Sequence, residues 1–300
     1  MTAGDTGGPP GEHDGRSSPA RVVTLGDAAI DVIVEPARLE VPDDDVPAAI
    51  RLEAGGQASN VAAWCSHLGG SAGVISVLGD DPAGRLIREM LASRNVAVMG
   101  PPGTGRSAVI VSLVGPGGRR TMLSDRGASA TLTAEDLNPE WFAGARWLHL
   151  SGYSLFGPRG PEPAIAAAGL AAAAGARVSV DLSSATLLAG LPRARVRGLV
   201  ADVRAEVVLG NELEVAAAGH LRVSELVVKR GAAGCRVIAG GASVDLPGVP
   251  PAAVRDSTGA GDAFAAGWLL GGAPLAMEAA RRCVARLGAM PPTAEPLAGA

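Results

Sequence analysis

The stretch DSTGAGDAFAAG, at residues 256–267, places a run of small residues directly before a helix that is predicted to begin near Asp262. Small residues let the backbone close around an anion, and the free N–H groups at a helix start point toward it. A carboxylate beside such an anion site is useful if it removes a proton from a hydroxyl while the site holds the phosphoryl group under attack. The alternative interpretation is an aspartate that is favoured by the helix dipole after a flexible glycine turn.

Outside this stretch, apolar runs alternate with segments of helical periodicity along most of the chain. The strands predicted from these runs are 21–25, 72–78, 145–150, 177–181, 206–209, 226–229 and a pair within 235–246. The predicted helices are 57–68, 81–93, 161–175, 192–202, 211–218 and two that begin at Gly261 and Pro274. Such alternation is typical of an α/β fold in which helices cover both faces of a mainly parallel sheet and ligands bind at the carboxyl ends of the strands.

A strand at 30–34 and a hairpin interrupt this alternation. The hairpin is indicated by strand-like runs at 107–114 and 119–124, on either side of the turn GPGG at 115–118. Because these strands have no position in the parallel sheet, they predict a small accessory sheet.

Composition and motifs argue against several functions. The formal net charge of −4 is a poor basis for binding nucleic acid, which usually requires a basic face. Lys229 is the only lysine and is followed by Arg230, so the Gly-Lys-Ser/Thr of a Walker P-loop is missing. Residues 103–105, GTG, lead into the hairpin rather than into a helix, which argues against a dinucleotide-binding oxidoreductase.

The cysteines and histidines predict neither a disulfide framework nor a metal site. Cys65, Cys235 and Cys283 are far apart and form no C-x-x-C pair, so three buried, reduced thiols are expected. His67 and His149 lie in apolar segments and are expected to pack in the protein rather than to bind a metal.

Both chain ends are predicted to be flexible tails, at residues 1–19 and 291–300. The first tail is rich in glycine and proline and lacks the apolar core of a signal peptide. The apolar stretches elsewhere are too short to span a bilayer, so we expect a cytoplasmic protein without membrane contact.

The segment DSTGAGDAF resembles the C-terminal signature of the ribokinase-like (PfkB) carbohydrate kinases. Three further segments are similar to family motifs in the family's order: LGDAAIDVIVE at 25–35, GGQASNVA at 55–62 and NELE at 211–214. This resemblance covers about residues 21–290. It implies a ribokinase-like three-layer αβα sandwich, formed by one kinase domain at 20–290, with a mainly parallel central sheet. It also implies a small β-sheet lid, built from strands at about 31–54 and 105–126.

The resemblance also implies how the phosphoryl group and the sugar would be handled. Asp262 would be the general base that deprotonates a sugar hydroxyl. The anion hole for the transferring phosphoryl group would consist of the backbone amides of Gly259, Ala260 and Gly261. The residues that would bind the sugar hydroxyls are Asp31, Gly55, Gly56 and Asn60.

For the nucleotide and the ions, the resemblance implies ATP and Mg²⁺. Asn211 and Glu214 would organise Mg²⁺ and the phosphates, largely through water. The loop over the nucleotide would contain Gly231 and Gly234. Asp256 and Thr258 match positions that help some members hold a monovalent cation, which suggests K⁺.

The chemistry of individual residues agrees with several of these roles. Asp31 has Val and Ile neighbours near the start of a strand and could accept two hydrogen bonds from hydroxyls, whereas the alternative is a solvated strand-end aspartate. Asn211 and Glu214 would share a helical face at i, i+3, although an asparagine after a strand is more often an N-cap. Tyr153 could stack on a sugar or a base, or could instead pack in the core or at the rim.

Two departures from the family pattern affect the nucleotide and the sugar. The segment ARRCVARLGAMPP at 280–292 reaches its Gly-Ala turn early, so part of the adenine and cation site is expected to be shortened. Ser129 stands where many sugar kinases have asparagine. Nearby, Arg106 and Arg126 could contact an anionic substrate, but the favoured interpretation is a solvated arginine in each case.

These features predict an ATP-dependent kinase that phosphorylates a hydroxyl of a small sugar or sugar acid. The alternatives are a nucleoside kinase of the same family, which the low aromatic content disfavours, and a catalytically retired member that only binds a sugar. A homodimer that forms through the lid is implied by the resemblance.

Overall fold

The computed structural model describes residues 20–38, 45–115, 120–251 and 253–293. The predicted tail at 1–19 lies outside the described residues, as do residues 294–300 of the second predicted tail and residues 116–118 of the predicted hairpin turn. The two departures from the family pattern, at 280–292 and Ser129, and all predicted site residues lie within the described residues.

The strands, in chain order, are β1 (Arg21–Leu25), β2 (Ala29–Pro36), β3 (Ala48–Gly55), β4 (Ser71–Ile75), β5 (Val96–Met99), β6 (Ala108–Val114), β7 (Arg120–Asp125), β8 (Ala145–Ser151), β9 (Arg177–Asp181), β10 (Val207–Asn211), β11 (Glu225–Lys229), β12 (Cys235–Ala239) and β13 (Ala242–Leu246). The α-helices are α1 (Gln57–His67), α2 (Pro82–Ala92), α3 (Gly152–Phe156), α4 (Glu162–Ala173), α5 (Ala185–Ala189), α6 (Arg193–Asp202), α7 (Glu212–Ala218) and α8 (Ala260–Val284).

Nine of these strands form one sheet, in the order β13-β12-β11-β10-β9-β8-β1-β4-β5. The strands from β11 to β5 are all parallel, and β12 and β13 extend the β11 edge as antiparallel strands. From β1 the chain builds β4 and β5 on one side and then returns to β8 on the other side. The strand order therefore reverses at β1, and a crevice at the carboxyl ends of the strands is expected there.

Helices cover both faces of the large sheet. On each face, residues of the strands and of the covering helices form a separate buried apolar cluster. One cluster includes Trp64 of α1 and Phe264 of α8. The other includes Ala167 of α4 and Val196 of α6. These three layers confirm the predicted ribokinase-like αβα architecture.

The remaining strands form a second, four-stranded sheet in the order β3-β2-β6-β7. Strand β2 pairs antiparallel with β3 and parallel with β6, and β6 pairs antiparallel with β7 as the predicted hairpin. The accessory sheet that the sequence required is therefore present, and it joins the early strand to the hairpin.

Local signals account for some of the helix starts. Helix α2 begins as predicted, with Pro82 in its first turn and the Asp81 side chain accepting a hydrogen bond from the Gly84 N–H. The two predicted C-terminal helices form the single segment α8, which is interrupted at Gly272, where the backbone has φ 69° and ψ −159°. Strand β5 was not predicted, and helices α3 and α5 were not predicted because five residues are too few to show a helical period.

The structure places the cysteines as expected, but only one of the two histidines. Cys65, Cys235 and Cys283 are buried free thiols. His149 is buried, its Nδ1 lies 2.9 Å from Ser179 Oγ, and burial lowers its pKa to about 4. His67 was expected to be packed but is exposed at the end of α1. Within the described ranges, no helix combines the length and apolar character that crossing a bilayer requires.

Candidate active site

Polar side chains gather at the carboxyl ends of the parallel strands. Ser151 ends β8, Asp181 ends β9, Asn211 ends β10 and Lys229 ends β11. Since the carboxyl ends of parallel strands share one edge of the sheet, these residues are brought together from distant parts of the chain. The candidate site is built on this edge, and the first turns of α1 and α8 contribute to it.

Asp262, in the first turn of α8, is linked to helix α1. Its Oδ2 accepts a hydrogen bond of 2.8 Å from Asn60 Nδ2, and the Gln57 side chain also hydrogen-bonds it. Burial raises the pKa of Asp262 to about 7, and the neighbouring Asp181 adds to this effect, whereas the hydrogen bonds and Lys229 oppose it. A carboxyl with a pKa near neutrality is well matched to accept a proton from a hydroxyl.

The backbone before Asp262 has the form expected for an anion site. Gly259 is the N-cap of α8 and adopts the left-handed φ of 75°, and a Cβ on it would lie 2.5 Å from Ala289 Cβ. The Ala260 N–H donates a long hydrogen bond of 3.3 Å to the Ser257 carbonyl. The amide of Gly261 belongs to the first helical turn, whose N–H groups have no intrahelical acceptor.

Lys229 places a cation beside the start of α8. Its Nζ lies 2.6 Å from Asp181 Oδ2, and a Cβ on Gly261 would be 3.1 Å from that nitrogen. Burial lowers the pKa of Lys229, but the carboxylates of Asp181 and Glu214 outweigh it and raise the pKa overall. The ammonium therefore stays protonated next to the start of α8.

Asp31 and Asn60 present hydrogen-bond acceptors with no partner among the described residues. Asp31 Oδ1 and Asn60 Oδ1 are both buried and unbonded. Burial raises the pKa of Asp31 to about 7, with further contributions from Glu53 and Asp262. Since buried polar atoms are almost always hydrogen-bonded, these two oxygens indicate a ligand that donates hydrogen bonds, such as a polyol.

The two predicted glycines, at the end of β3 and the start of α1, lie where the backbone approaches other groups closely, and Gly55 gives Asp31 its room. A Cβ on Gly55 would lie 2.1 Å from Asp31 Cγ, so any larger residue would displace the carboxyl. Gly56 is the N-cap of α1, and a Cβ there would meet the Asp27 carbonyl oxygen at 2.4 Å. The structure thus brings Asp31, Gly55, Gly56 and Asn60 into one region.

Asn211 and Glu214 were predicted to share a helical face, but this prediction is wrong. Asn211 lies before the helix as its N-cap, which was the alternative interpretation. The two residues form a capping box in which Glu214 N–H donates to Asn211 Oδ1 at 2.9 Å and Asn211 N–H donates to Glu214 Oε2 at 2.8 Å. Glu214 is buried, which raises its pKa, and Lys229 opposes the increase.

The surroundings of Glu214 fit a Mg²⁺ ion that is held mainly by phosphates and water. Among the described residues, no three His, Cys, Asp or Glu side chains are grouped so that they could hold a metal ion. Mg²⁺ at phosphate sites usually takes only one or two protein carboxylates, so a single glutamate suffices. Both Glu214 carboxylate oxygens accept a hydrogen bond from Asn211, so Glu214 would hold such an ion through water rather than directly.

A cavity of about 290 Å³ opens beside Gly261. Its lining includes Gly231 and Gly234, which have positive φ values of 57° and 93° and form a tight loop after β11. The other lining residues are largely apolar and include Val249, Val254, Phe264, Met277 and Ala280. An apolar cavity beside the start of α8 has features that suit the base of a nucleotide.

Asp256, which the resemblance associates with a monovalent cation, already accepts hydrogen bonds from protein donors on both carboxylate oxygens. Its Oδ1 accepts the Thr258 N–H at 2.8 Å, and its Oδ2 accepts the Gly288 N–H at 2.7 Å and pairs with the Arg120 guanidinium. The Thr258 carbonyl accepts the Cys283 thiol at 3.3 Å. The early turn at 288–289 therefore packs directly against this loop.

Arg126 was expected to be solvated, and this prediction is wrong. Its guanidinium pairs with Asp27 and lies 5.0 Å from the centroid of the Tyr153 ring. Ser129, which stands where many sugar kinases have asparagine, contacts the same aspartate. Its Oγ donates a hydrogen bond of 3.0 Å to Asp27 Oδ1. Arg106 has an 82% exposed side chain, as predicted.

Sequence reasoning missed several residues of this site. Gln57 Oε1 accepts hydrogen bonds from the hydroxyls of Ser151 and Ser183, which orients its amide group for Asp262. Lys229 could have been found from its position, since it is the only lysine and ends a buried strand. Nothing local marks Arg120, because its partner lies 136 positions away.

Comparisons with known proteins agree with this geometry. A model of the pfkB family carbohydrate kinases matches residues 19–289. A fructokinase from Salmonella typhimurium is 32% identical over 269 residues, which cover 83% of each chain. An ATP-dependent ribose-1-phosphate kinase from Halopiger xanaduensis is 32% identical over 285 residues, covering 88% of this chain and 90% of that protein. The fold is also that of a solved adenosine kinase from Sinorhizobium meliloti, with a TM-score of 0.79 at 23% identity, covering 91% of this chain and 96% of that one.

Proposed function

The chain belongs to the pfkB family of carbohydrate kinases, and we propose that it transfers the γ-phosphoryl group of ATP to a hydroxyl of a small sugar or sugar acid in a Mg²⁺-dependent reaction. The observation that carries this proposal is Asp262, a carboxyl with a pKa of about 7 that Asn60 holds at the start of α8. The names of the 32% identical relatives, a fructokinase and an ATP-dependent ribose-1-phosphate kinase, support the same substrate class.

In the proposed reaction, Asp262 is the general base. Its carboxylate takes the proton of the sugar hydroxyl while the hydroxyl oxygen forms a bond to the γ-phosphorus, and the bond from that phosphorus to the β–γ bridging oxygen breaks to release ADP. The hydrogen bonds from Asn60 and Gln57 would orient the carboxylate toward the substrate hydroxyl. The Asp262 proton is lost to water after the product leaves.

The charge that develops on the phosphoryl oxygens is stabilised by the start of α8 and by Lys229. The amides of Gly259 and Gly261, and that of Ala260 when its long bond to Ser257 opens, would donate to these oxygens. The Lys229 ammonium adds a positive charge that Asp181 holds in place. Mg²⁺, when bound near Glu214 and Asn211, would neutralise phosphate charge.

The sugar is held by the unpartnered acceptors described above. Hydroxyl groups would donate to Asp31 Oδ1 and Asn60 Oδ1, and the sugar would lie against the backbone at Gly55 and Gly56. The base of ATP would occupy the cavity bordered by Gly231 and Gly234.

A nucleoside kinase of the same family is the second candidate, since Tyr153 offers an aromatic ring in a small pocket with Arg126, Ser129 and Asp27. However, the Arg126 guanidinium already lies over that ring, which leaves less of it for stacking on a base. A retired, sugar-binding member is disfavoured because Asp262 keeps its partner and its raised pKa.

The homodimer and the cytoplasmic location belong to the same proposal. The outer strands of the small sheet expose apolar side chains, which supports an interface on that sheet. These side chains are Ile50, Leu52, Met122 and Leu123. Sedimentation of the purified chain would distinguish a dimer from a monomer.

The kinase proposal is tested by ADP release from Mg²⁺-ATP with a panel of ribose, fructose, 2-keto-3-deoxygluconate, adenosine and other nucleosides. We expect turnover of one sugar and a loss of about 10²- to 10⁴-fold in kcat for Asp262→Asn. Asp202→Asn, at an exposed position at the end of α6, is the matched control and should leave kcat unchanged. Unchanged turnover in Asp262→Asn would rule out the base, and turnover of nucleosides alone would favour the second candidate.

A further inference from the structure

The small sheet reaches the anion-hole loop through one buried ion pair. Arg120, the first residue of β7, pairs with Asp256 through Nη2, and its Nη1 donates a hydrogen bond of 3.0 Å to Ser112 Oγ on β6. Only 14% of the Arg120 side chain and 1% of the Asp256 side chain are exposed. A cation that belongs to the protein therefore lies on the carboxylate that precedes Gly259.

This arrangement does not fit a monovalent cation at Asp256. Such an ion needs several oxygen ligands, but both carboxylate oxygens already accept hydrogen bonds from Thr258, Gly288 and Arg120. The ion would also lie next to the guanidinium. Like charges repel each other, and water screens this repulsion poorly here because the Arg120 and Asp256 side chains are largely buried.

We propose that the Arg120 guanidinium takes the place of the monovalent cation at Asp256, so that this chain does not require K⁺ and holds its anion-hole loop through a side chain of the small sheet. The inference rests on the proposed kinase function. Arg120 is a positioning residue, because it contacts Asp256 rather than a reacting atom. Asp256 in turn accepts the N–H of Thr258, the residue before the left-handed turn at Gly259.

The same guanidinium also acts on the sugar side of the site. The pKa of Asp31 is raised by burial and by the carboxyls of Glu53 and Asp262, and Arg120 is close enough to oppose this rise. A single side chain thus links the loop that would hold the phosphoryl group to the carboxyl that would hold the sugar. Docking of the small sheet then helps to order both.

The first test needs no turnover. Thermal unfolding of the full chain and of Arg120→Ala is compared at equal ionic strength in potassium, sodium and tetramethylammonium chloride. We expect the same Tm for the unmodified chain in all three salts and a selective rise of the Arg120→Ala Tm in potassium, because an ion that binds only the folded state stabilises it. A selective response of the unmodified chain to potassium, or no such response in Arg120→Ala, would overturn the inference.

The second test uses the sugar that the panel identifies. Without potassium, the unmodified chain should keep its full kcat, whereas Arg120→Ala should lose about 10- to 100-fold, the usual effect of a misplaced catalytic group. Potassium or methylguanidinium should restore much of this loss, and Arg120→Lys should retain most of the activity. The control is Arg106→Ala, which removes an exposed arginine that precedes β6.

The outcomes separate this inference from the proposed function. If the unmodified chain turns over no sugar or nucleoside, the kinase proposal fails, but the Tm comparison still decides whether Arg120 replaces the cation. If the chain turns over a sugar only when potassium is present, the kinase proposal stands and the cation inference is wrong. A loss in Arg120→Ala that no cation relieves would also contradict it.

Discussion

Asn60 and Asp262 are 202 positions apart in the chain, yet Asn60 Nδ2 lies 2.8 Å from Asp262 Oδ2. The contact joins the first turns of α1 and α8, so the start of one helix fixes the carboxyl at the start of the other. It also acts on proton affinity, because this hydrogen bond opposes the burial that raises the pKa of Asp262. The strength of the proposed base is therefore set jointly by both helices.

We expect kcat/KM to fall as the pH drops below about 7. A general base works only when deprotonated, and the pKa of Asp262 is about 7, so each pH unit below that value should cost up to about tenfold. The pKa of Asp31 is also about 7, so this acid limb of the pH–rate profile reports the titration of both aspartates rather than of Asp262 alone. A pH–rate profile at constant ionic strength checks this. A rate that stays flat down to pH 5 would contradict it.

Replacing Asn60 by alanine should shift that limb to higher pH. The variant removes the donor that favours the charged carboxylate, so the pKa of Asp262 should rise and kcat/KM at neutral pH should fall by on the order of 10-fold. Ser66→Ala, on the same helix, is the control and should keep the original profile. An unchanged limb in Asn60→Ala would show that the hydrogen bond does not tune the base.

Lys229 should contribute to both stability and catalysis, and a double variant separates the two. Lys229→Met leaves the buried Asp181 carboxylate without its partner, which should lower the free energy of unfolding by about 3–5 kcal/mol. Adding Asp181→Asn should recover most of this stability but not kcat, because no cation would lie beside Gly261. Urea unfolding and steady-state kinetics measure the two effects. Recovery of kcat in the double variant would exclude a catalytic role for the ammonium.

Filling the apolar cavity should weaken ATP binding. Ala280 lines the cavity, and Ala280→Phe would place a ring where the base is expected, so KM for ATP should rise by about 10-fold or more with a smaller change in kcat. Ala285→Phe, at the exposed end of the same helix, should leave KM for ATP unchanged. A rise in KM for the sugar instead would place the sugar in this cavity.

The order of strands and helices could be predicted because apolar periodicity is a local property. Strands such as Arg21–Leu25 and Arg177–Asp181 have the predicted bounds. The pairing of the early strand could not be predicted. Strand β2 pairs with both β3 and β6, and no feature of its own sequence indicates either partner. The sequence could show only that these strands needed a second sheet.

The residues of the candidate site also fall into two groups, those that could be predicted from local sequence and those that depend on contacts between distant segments. The residue types at 256–262, with their small side chains and one carboxyl, are dictated by the backbone turn into a helix and can be read from neighbours in the chain. The partners of Asp262 and Asp256 cannot, because Asn60 and Arg120 reach them only after two sheets and two helices have packed together. Motif chemistry is local, whereas burial, the resulting pKa shifts and the choice of counter-charge arise from contacts between residues more than a hundred positions apart.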